Sequence, residues 1–370
     1  MMQVKYSYLD QQFADPEPYL DCIRDLVIRG DFTLGGSVTE FEQRFAELCG
    51  LPYAVGVATG TDALALSLKA VGVDHGDEVI TTPNTFIATV GAIVMTGATP
   101  VFVDNDEQYT IDVNLIEAAI TPKTKAIMPV HLSGNPADMP PIMEIANRHG
   151  LKVIEDAAQA ILGTIDGKHV GSWGESAGFS LHPLKNLNVW GDGGIILTRS
   201  EEMRDQLRLL RNHGLGTRDD VMIWGHNARL DSLHAVIANQ LIDQAHPITD
   251  QRIANAEFYD AGFADLGEYL VIPPRRPNFK QVYHTYVLRA ADRDSLLNHL
   301  ISNGVQAKVH YPVPLHLQPA ARHLGYKAGD FPVCEEHCET IISLPVHQHL
   351  SSEQLEYVVQ NVRQFYGFSE

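Results

Sequence analysis

Val153-Ile154-Glu155-Asp156-Ala157-Ala158-Gln159 reads as an apolar strand that ends on a carboxylate, and open α/β sheets present their ligand-binding groups at that end of a strand. The same rhythm continues on both sides. Between residues 54 and 198 short apolar runs alternate with amphipathic segments, the pattern of α/β layering. It predicts strands at 53–57, 78–82, 100–103, 126–130, 152–155, 177–180 and 194–198. Helical patterns fall between several of them, at 62–70, 87–96, 113–119 and 141–149. Crossovers of this kind favour a mainly parallel sheet with helices on both faces.

Beyond this block, 201–244 reads as a helix, a polar turn region at 214–220, and a longer amphipathic helix that closes the large domain. The run Pro273-Pro274-Arg275-Arg276-Pro277 breaks regular structure and marks a boundary or an exposed loop. A strand-like run at 282–288, a helix at 293–302, the segment 307–311 and a final helix at 352–366 predict a compact α+β unit. The expected organisation is therefore α/β: a large domain at 1–245 that includes an N-terminal arm, and a small C-terminal domain at 246–370.

With 370 residues and 45% apolar composition, the chain can bury a large core. No stretch approaches the roughly 20 apolar residues that span a bilayer, and Met1-Met2-Gln3-Val4-Lys5-Tyr6 has no apolar run behind a basic head. A cytoplasmic protein with no membrane partner is expected. Cys22, Cys49, Cys334 and Cys338 are too few for a disulfide scaffold in a chain of this length. Cys334, His337 and Cys338 have the i, i+3, i+4 spacing that one helical face also produces, with no second ligand pair beside them, so no metal site is expected. The formal charge of −19 repels phosphate backbones and argues against nucleic acid. An anionic small molecule can still bind through local amides and cations.

The densest concentration of unusual residues is Ser180-Leu181-His182-Pro183-Leu184-Lys185-Asn186-Leu187-Asn188-Val189-Trp190-Gly191-Asp192-Gly193-Gly194. Its lysine sits just past a strand, between a proline and a glycine-rich turn, on irregular backbone where functional side chains concentrate. A lone lysine is usually solvated surface; Lys185 has company. Asp156 is a candidate partner for a pyridine nitrogen, against the plainer role of capping the next helix. Val55-Gly56-Val57-Ala58-Thr59-Gly60-Thr61-Asp62-Ala63-Leu64 reads as strand, tight turn and helix start, whose free amides can cradle a phosphate or simply turn the chain.

In this order the motifs resemble the fold-type-I pyridoxal-phosphate (PLP) sugar aminotransferases, the DegT/DnrJ/StrS family. The resemblance takes in Gly60-Thr61-Asp62-Ala63-Leu64, Gly76-Asp77-Glu78-Val79-Ile80, Asn84-Thr85-Phe86-Ile87-Ala88-Thr89 and Glu155-Asp156-Ala157-Ala158-Gln159. It continues through the Lys185 segment, Gly225-His226-Asn227-Ala228-Arg229-Leu230-Asp231 and Val309-His310-Tyr311-Pro312-Val313-Pro314-Leu315-His316, spanning nearly the whole chain.

The resemblance implies that Lys185 carries PLP as a Schiff base and then serves as the base of a proton shift. It implies that Asp156 pairs with the pyridine nitrogen, Gln159 lies near the ring hydroxyl and Phe86 stacks on the ring. Thr61, the amides of Gly60 and Asp62, and Ser180 would bind the phosphate. Asp62 departs from the small neutral residue of many relatives, and its carboxylate must point away from a phosphate. Asn227 would reach the phosphate from a neighbouring subunit, which implies a homodimer. His182, Arg229, His310, Tyr311 and His316 fall in segments that border the substrate pocket. The implied reaction moves an amino group from L-glutamate to an oxidised sugar in cell-surface polysaccharide or lipopolysaccharide synthesis. The acceptor would be a nucleotide-linked keto-hexose, with Arg229, Lys308, Arg275 and Arg276 as cations for its diphosphate, or free octulosonate (Kdo) oxidised at C8, which the 182–188 segment suggests. A sugar dehydrase and a non-enzymatic regulator of the same fold are the rivals; an intact Lys185 argues against the first, and intact Lys185, Asp156 and Gln159 against the second.

Overall fold

The computed structural model describes residues 2–368. Seven strands form the principal sheet, in the order Tyr53–Val57, Gly194–Thr198, Ser176–Ser180, Lys152–Asp156, Thr124–Ile127, Glu78–Thr81 and Thr99–Phe102. All neighbours are parallel except at Gly194–Thr198, which runs antiparallel to the strands on either side of it. Parallel pairing needs crossovers, and the helices Gly60–Ala70, Ile87–Met95 and Met139–His149 supply them. Val153 and Ile154 are wholly buried, as expected for a strand covered on both faces.

A separate three-stranded antiparallel sheet is formed by Leu270–Val271, Tyr286–Ala290 and Ile341–Leu344. The strand predicted at 282–288 begins later, at Tyr286. Its first residues are drawn away: the Val282 amide donates to the Gly134 carbonyl at 2.9 Å, and Asn186 Nδ2 donates to the Val282 carbonyl at 3.0 Å. Segment 282–285 thus lies against the Lys185 loop rather than in a ladder. The segment 307–311 pairs only through a bridge between Lys308 and Ser343, and its His310–Tyr311 peptide is cis.

One helix, Ala245–Gly262, starts where the large domain is expected to end. Its Ile248 packs in the apolar core with Phe41 and Phe179, and its Ala256 and Tyr259 in the core with Leu288 and Ile342. The N-terminal arm joins the second core, because Val4 pairs with Val305. No helix among the described residues is long and apolar enough to cross a membrane.

The carboxyl end of the Lys152–Asp156 strand is held by a buried carboxylate–imidazole hydrogen bond, His131 Nδ1 accepting from the Ala137 amide at 2.9 Å. Glu155 accepts from the amides of Gly171 (2.7 Å), Trp173 (2.8 Å) and Gly174 (3.0 Å) and meets His131 Nε2 at 3.1 Å, both side chains fully buried. Burial pushes its pKa up, but these hydrogen bonds and the imidazole hold it below the ordinary glutamate value. Glu155→Ala strands His131 and three amides, so the urea midpoint should fall by the equivalent of about 3–5 kcal/mol. A shift under about 1 kcal/mol would show that the clamp is dispensable.

Candidate active site

The turn after Tyr53–Val57 positions the first wall. Thr59 caps the helix: its Oγ1 accepts from the Asp62 amide at 2.9 Å and donates to Asp62 Oδ2 at 2.7 Å. The Asp62 carboxylate is thereby turned back onto the cap. Its amide, expected as a phosphate donor, already has a partner, so the open donors of this helix start are Gly60 and Thr61. Gly60 is set by close approach, since a Cβ there would lie 2.8 Å from Ser180 Cβ. The helix N-terminus and the Ser180 hydroxyl therefore face one small space, with the charge and donors that a phosphate needs. Gly60→Ala would fill it, and the dissociation constant for the phosphorylated cofactor should rise at least about tenfold. Equilibrium titration of the cofactor-free protein measures this; unchanged affinity would remove the cradle.

The second wall is the end of Lys152–Asp156. Asp156 is 5% exposed; its Oδ2 accepts from Thr89 Oγ1 at 2.7 Å and its Oδ1 from the Ala158 amide at 3.2 Å. Burial pushes its pKa up, opposed by these bonds and by the positive charge of Lys185. Thr89 is missed by sequence reasoning, since nothing in spacing links it to a residue 67 positions away. Gln159 accepts from the Ser133 amide at 2.7 Å, which leaves its side-chain N–H groups as donors, and the Tyr311 hydroxyl is within their reach.

Lys185 stands on the loop between these walls. The loop is pinned from the N-terminal arm, with Tyr8 Oη donating to the Lys185 carbonyl at 2.9 Å and Gln12 Nε2 to Asn188 Oδ1 at 2.9 Å. Asn188 Nδ2 donates in turn to the carbonyls of Pro183 and Lys185. The side chain is half-buried, and desolvation, opposed by Asp156, lowers its pKa to about 8. A lysine in that range is a usable nucleophile and base near neutral pH. Phe86 is 51% exposed and tilts toward Tyr311 with ring centroids 6.0 Å apart. An apolar ring left open beside polar walls fits a face for a flat heteroaromatic. The amine, the carboxylate, the donor cradle and the open ring together fit PLP.

The expected substrate residues divide. His182 is exposed on the Lys185 loop, and partial desolvation of its ring, with the lysine charge, lowers its pKa. His310, bonded to Ser343 Oγ at 2.9 Å, has its pKa lowered to about 4 by burial and the charges of Lys308 and Lys185; Tyr311 is held near Asp156. His182 and His310 lie within the field of Lys185, and Tyr311 within that of Asp156. His316 lies apart: it is 2% exposed, packs on Phe331 and meets Glu335 Oε1 at 3.1 Å, which makes it a core residue of a separate apolar cluster. Arg229 Nη1 donates to Asn212 Oδ1 at 3.2 Å, and Asn227 is exposed beside the Val57–Arg229 bridge.

The model of the DegT/DnrJ/EryC1/StrS aminotransferase family matches residues 17–363. The chain is 41% identical over 368 residues to the pleiotropic regulatory protein of Geobacillus stearothermophilus, covering 99% of each. It is 40% identical over 350 residues to the UDP-N-acetyl-3-dehydro-alpha-D-glucosamine 3-aminotransferase of Acidithiobacillus ferrooxidans, covering 92% of this chain and 94% of that one. Among solved structures it resembles Streptomyces venezuelae DesV in complex with a ketimine intermediate, with a TM-score of 0.96, 37% identity and full coverage of both chains.

Proposed function

The chain belongs to the DegT/DnrJ/EryC1/StrS aminotransferase family, and we propose that it moves an amino group from L-glutamate to a nucleotide-linked keto-sugar, using Lys185 as the attachment and proton-transfer residue. It is a PLP-dependent sugar aminotransferase. The observation that carries the residue assignment is Lys185, with its lowered pKa, electrostatically paired with Asp156 beside the Gly60–Ser180 cradle.

When bound, the cofactor supplies a reactive carbonyl on an electron-withdrawing ring, which accepts an amino group and yields it again. Asp156 would keep the ring nitrogen protonated, Gln159 would donate to the ring hydroxyl, and Phe86 would cover one face. Thr61, the Gly60 amide and Ser180 would hold the phosphate, joined by Asn227 of the partner subunit. Once freed by an incoming donor amine, neutral Lys185 Nζ would take the proton from the α-carbon of the substrate and deliver it to the former carbonyl carbon of the cofactor, on the other side of the transferred nitrogen, being tethered beside both positions. His182, His310 and Tyr311 would orient the sugar hydroxyls.

A homodimer is supported by exposed apolar groups on the helix Ile87–Met95 (Ile87, Val94, Met95) and around Trp224, itself 92% exposed. The nucleotide-linked acceptor is supported by the UDP-sugar relative; the sequence around Lys185 favours the oxidised free Kdo instead. The test is formation of 2-oxoglutarate from L-glutamate with dTDP- and UDP-linked keto-sugars and with C8-oxidised Kdo. Turnover with a nucleotide-linked acceptor supports the proposal, turnover with only the sugar acid replaces its acceptor, and no turnover with cofactor bound favours the regulatory reading.

A further inference from the structure

Two arginines of the described chain are buried in the protein interior, Arg211 and Arg252. Arg211 bonds to the carboxylate of Glu42. Arg252 has no carboxylate partner among the described residues, although it is 1% exposed. Its Nε donates to Gln348 Oε1 at 3.1 Å, and its Nη1 to the carbonyls of Tyr283 and His284, each at 3.2 Å. All three acceptors are neutral, as is the Tyr8 hydroxyl beside the guanidinium, and buried Nη2 makes no hydrogen bond of good geometry to the described residues. The guanidinium lies 5.1 Å from the centre of the Tyr8 ring, which eases the burial of a cation without cancelling its charge. A charge taken out of water and left unpaired is costly, so a buried arginine ordinarily has an anion beside it.

The structure shows where that anion fits. Arg252 lines a cavity of about 60 Å³ together with Tyr6, Tyr8, His284, Thr285 and His347. Three of these neighbours also hold buried polar atoms with no partner: His284 Nδ1, Thr285 Oγ1 and His347 Nδ1. The space admits a carboxylate. The cavity also abuts the reacting centre. Leu184, beside Lys185, forms part of its wall, Tyr8 bonds the Lys185 carbonyl, and His284 lies within the field of both Lys185 and Arg252.

We propose that this cavity is a subsite for one carboxylate of a substrate, with Arg252 Nη2 as its cation and Thr285 and the histidines as further hydrogen-bond partners. The inference rests on the aminotransferase reading and deepens it. The carboxylate can come from the amino donor or from an acidic sugar acceptor; the chemistry that binds it is the same. Water could satisfy the orphaned donors but would leave the charge uncompensated.

The test uses the holoenzyme and glutarate, a dicarboxylate with no amine to react. Calorimetry should show glutarate binding that Arg252→Gln weakens about 10- to 100-fold, that Arg252→Lys partly restores, and that uncharged glutaramide lacks. A glutarate-soaked crystal of the wild-type enzyme should place a carboxylate against Arg252 Nη2, a readout that does not depend on the variants folding. The source follows from steady-state kinetics: Arg252→Gln raising KM for L-glutamate assigns the subsite to the donor, and raising KM only for C8-oxidised Kdo assigns it to the acceptor. Water or chloride alone in the soaked cavity, or unchanged glutarate affinity in a folded Arg252→Gln enzyme, overturns the subsite. If wild-type enzyme transaminates in either of those cases, the functional reading stands without it.

Discussion

Replacing Lys185 by alanine is expected to slow amino-group transfer by about 10²–10⁴-fold, the range associated with loss of a positioned general base, and to abolish covalent retention of the cofactor. Folding should survive, because Lys185 is half-buried on a loop fixed through its backbone carbonyl by Tyr8 and Asn188, bonds that alanine keeps. The pH profile separates chemistry from structure. With a pKa lowered to about 8, the freed wild-type amine gains neutral form through that value. The rate of the donor half-reaction should therefore climb about tenfold per pH unit up to it and then level. The variant should lose this limb. In cofactor-free protein the sign is also fixed: the folded chain sheds the Lys185 proton at lower pH than the unfolded chain. Its contribution to stability therefore grows as pH rises from about 8 toward the ordinary lysine value, and alanine removes that slope. An alanine variant with full activity would transfer the role to another residue.

Asp156→Asn is expected to lower activity by about 10²–10³-fold while leaving the cofactor-free protein as stable as before, or more so, at neutral pH. Burial raises the folded pKa of Asp156 above its ordinary value, so the folded chain binds this proton more readily. Any stabilisation linked to it is present at low pH and lost as pH rises through the folded pKa. At neutral pH the ionised side chain is a cost that the fold carries for the site, and the amide removes it without changing shape. Thermal denaturation and turnover moving in opposite directions would identify Asp156 as a group kept for chemistry. Loss of stability and activity together would make it structural.

The large sheet was legible because both ends of its strands are marked by local chemistry: apolar runs such as Val153-Ile154, caps such as Thr59, and glycine where chains cross closely, as at Gly60. Its strands at 53–57 and 194–198 match the apolar pattern residue for residue. The segment at 282–285 was not legible, because Val282-Tyr283 alternates like a strand while Gly134 and Asn186, distant in sequence, take its hydrogen bonds. The same distance hid Thr89, Tyr8 and Arg252. Each acts through a partner about 70 to 180 positions away or through a cavity, and periodicity carries no trace of either. His316 misled for the opposite reason: it lies in a motif that borders the pocket, but its ring turns to Phe331 and Glu335.

The most direct test of the assignment is to reduce the PLP-loaded enzyme with borohydride, digest it and locate the cofactor by mass spectrometry. The account predicts one modified peptide, with the phosphopyridoxyl mass on Lys185 and none in enzyme first incubated with L-glutamate. A cofactor mass on any other lysine, or on none, would contradict it.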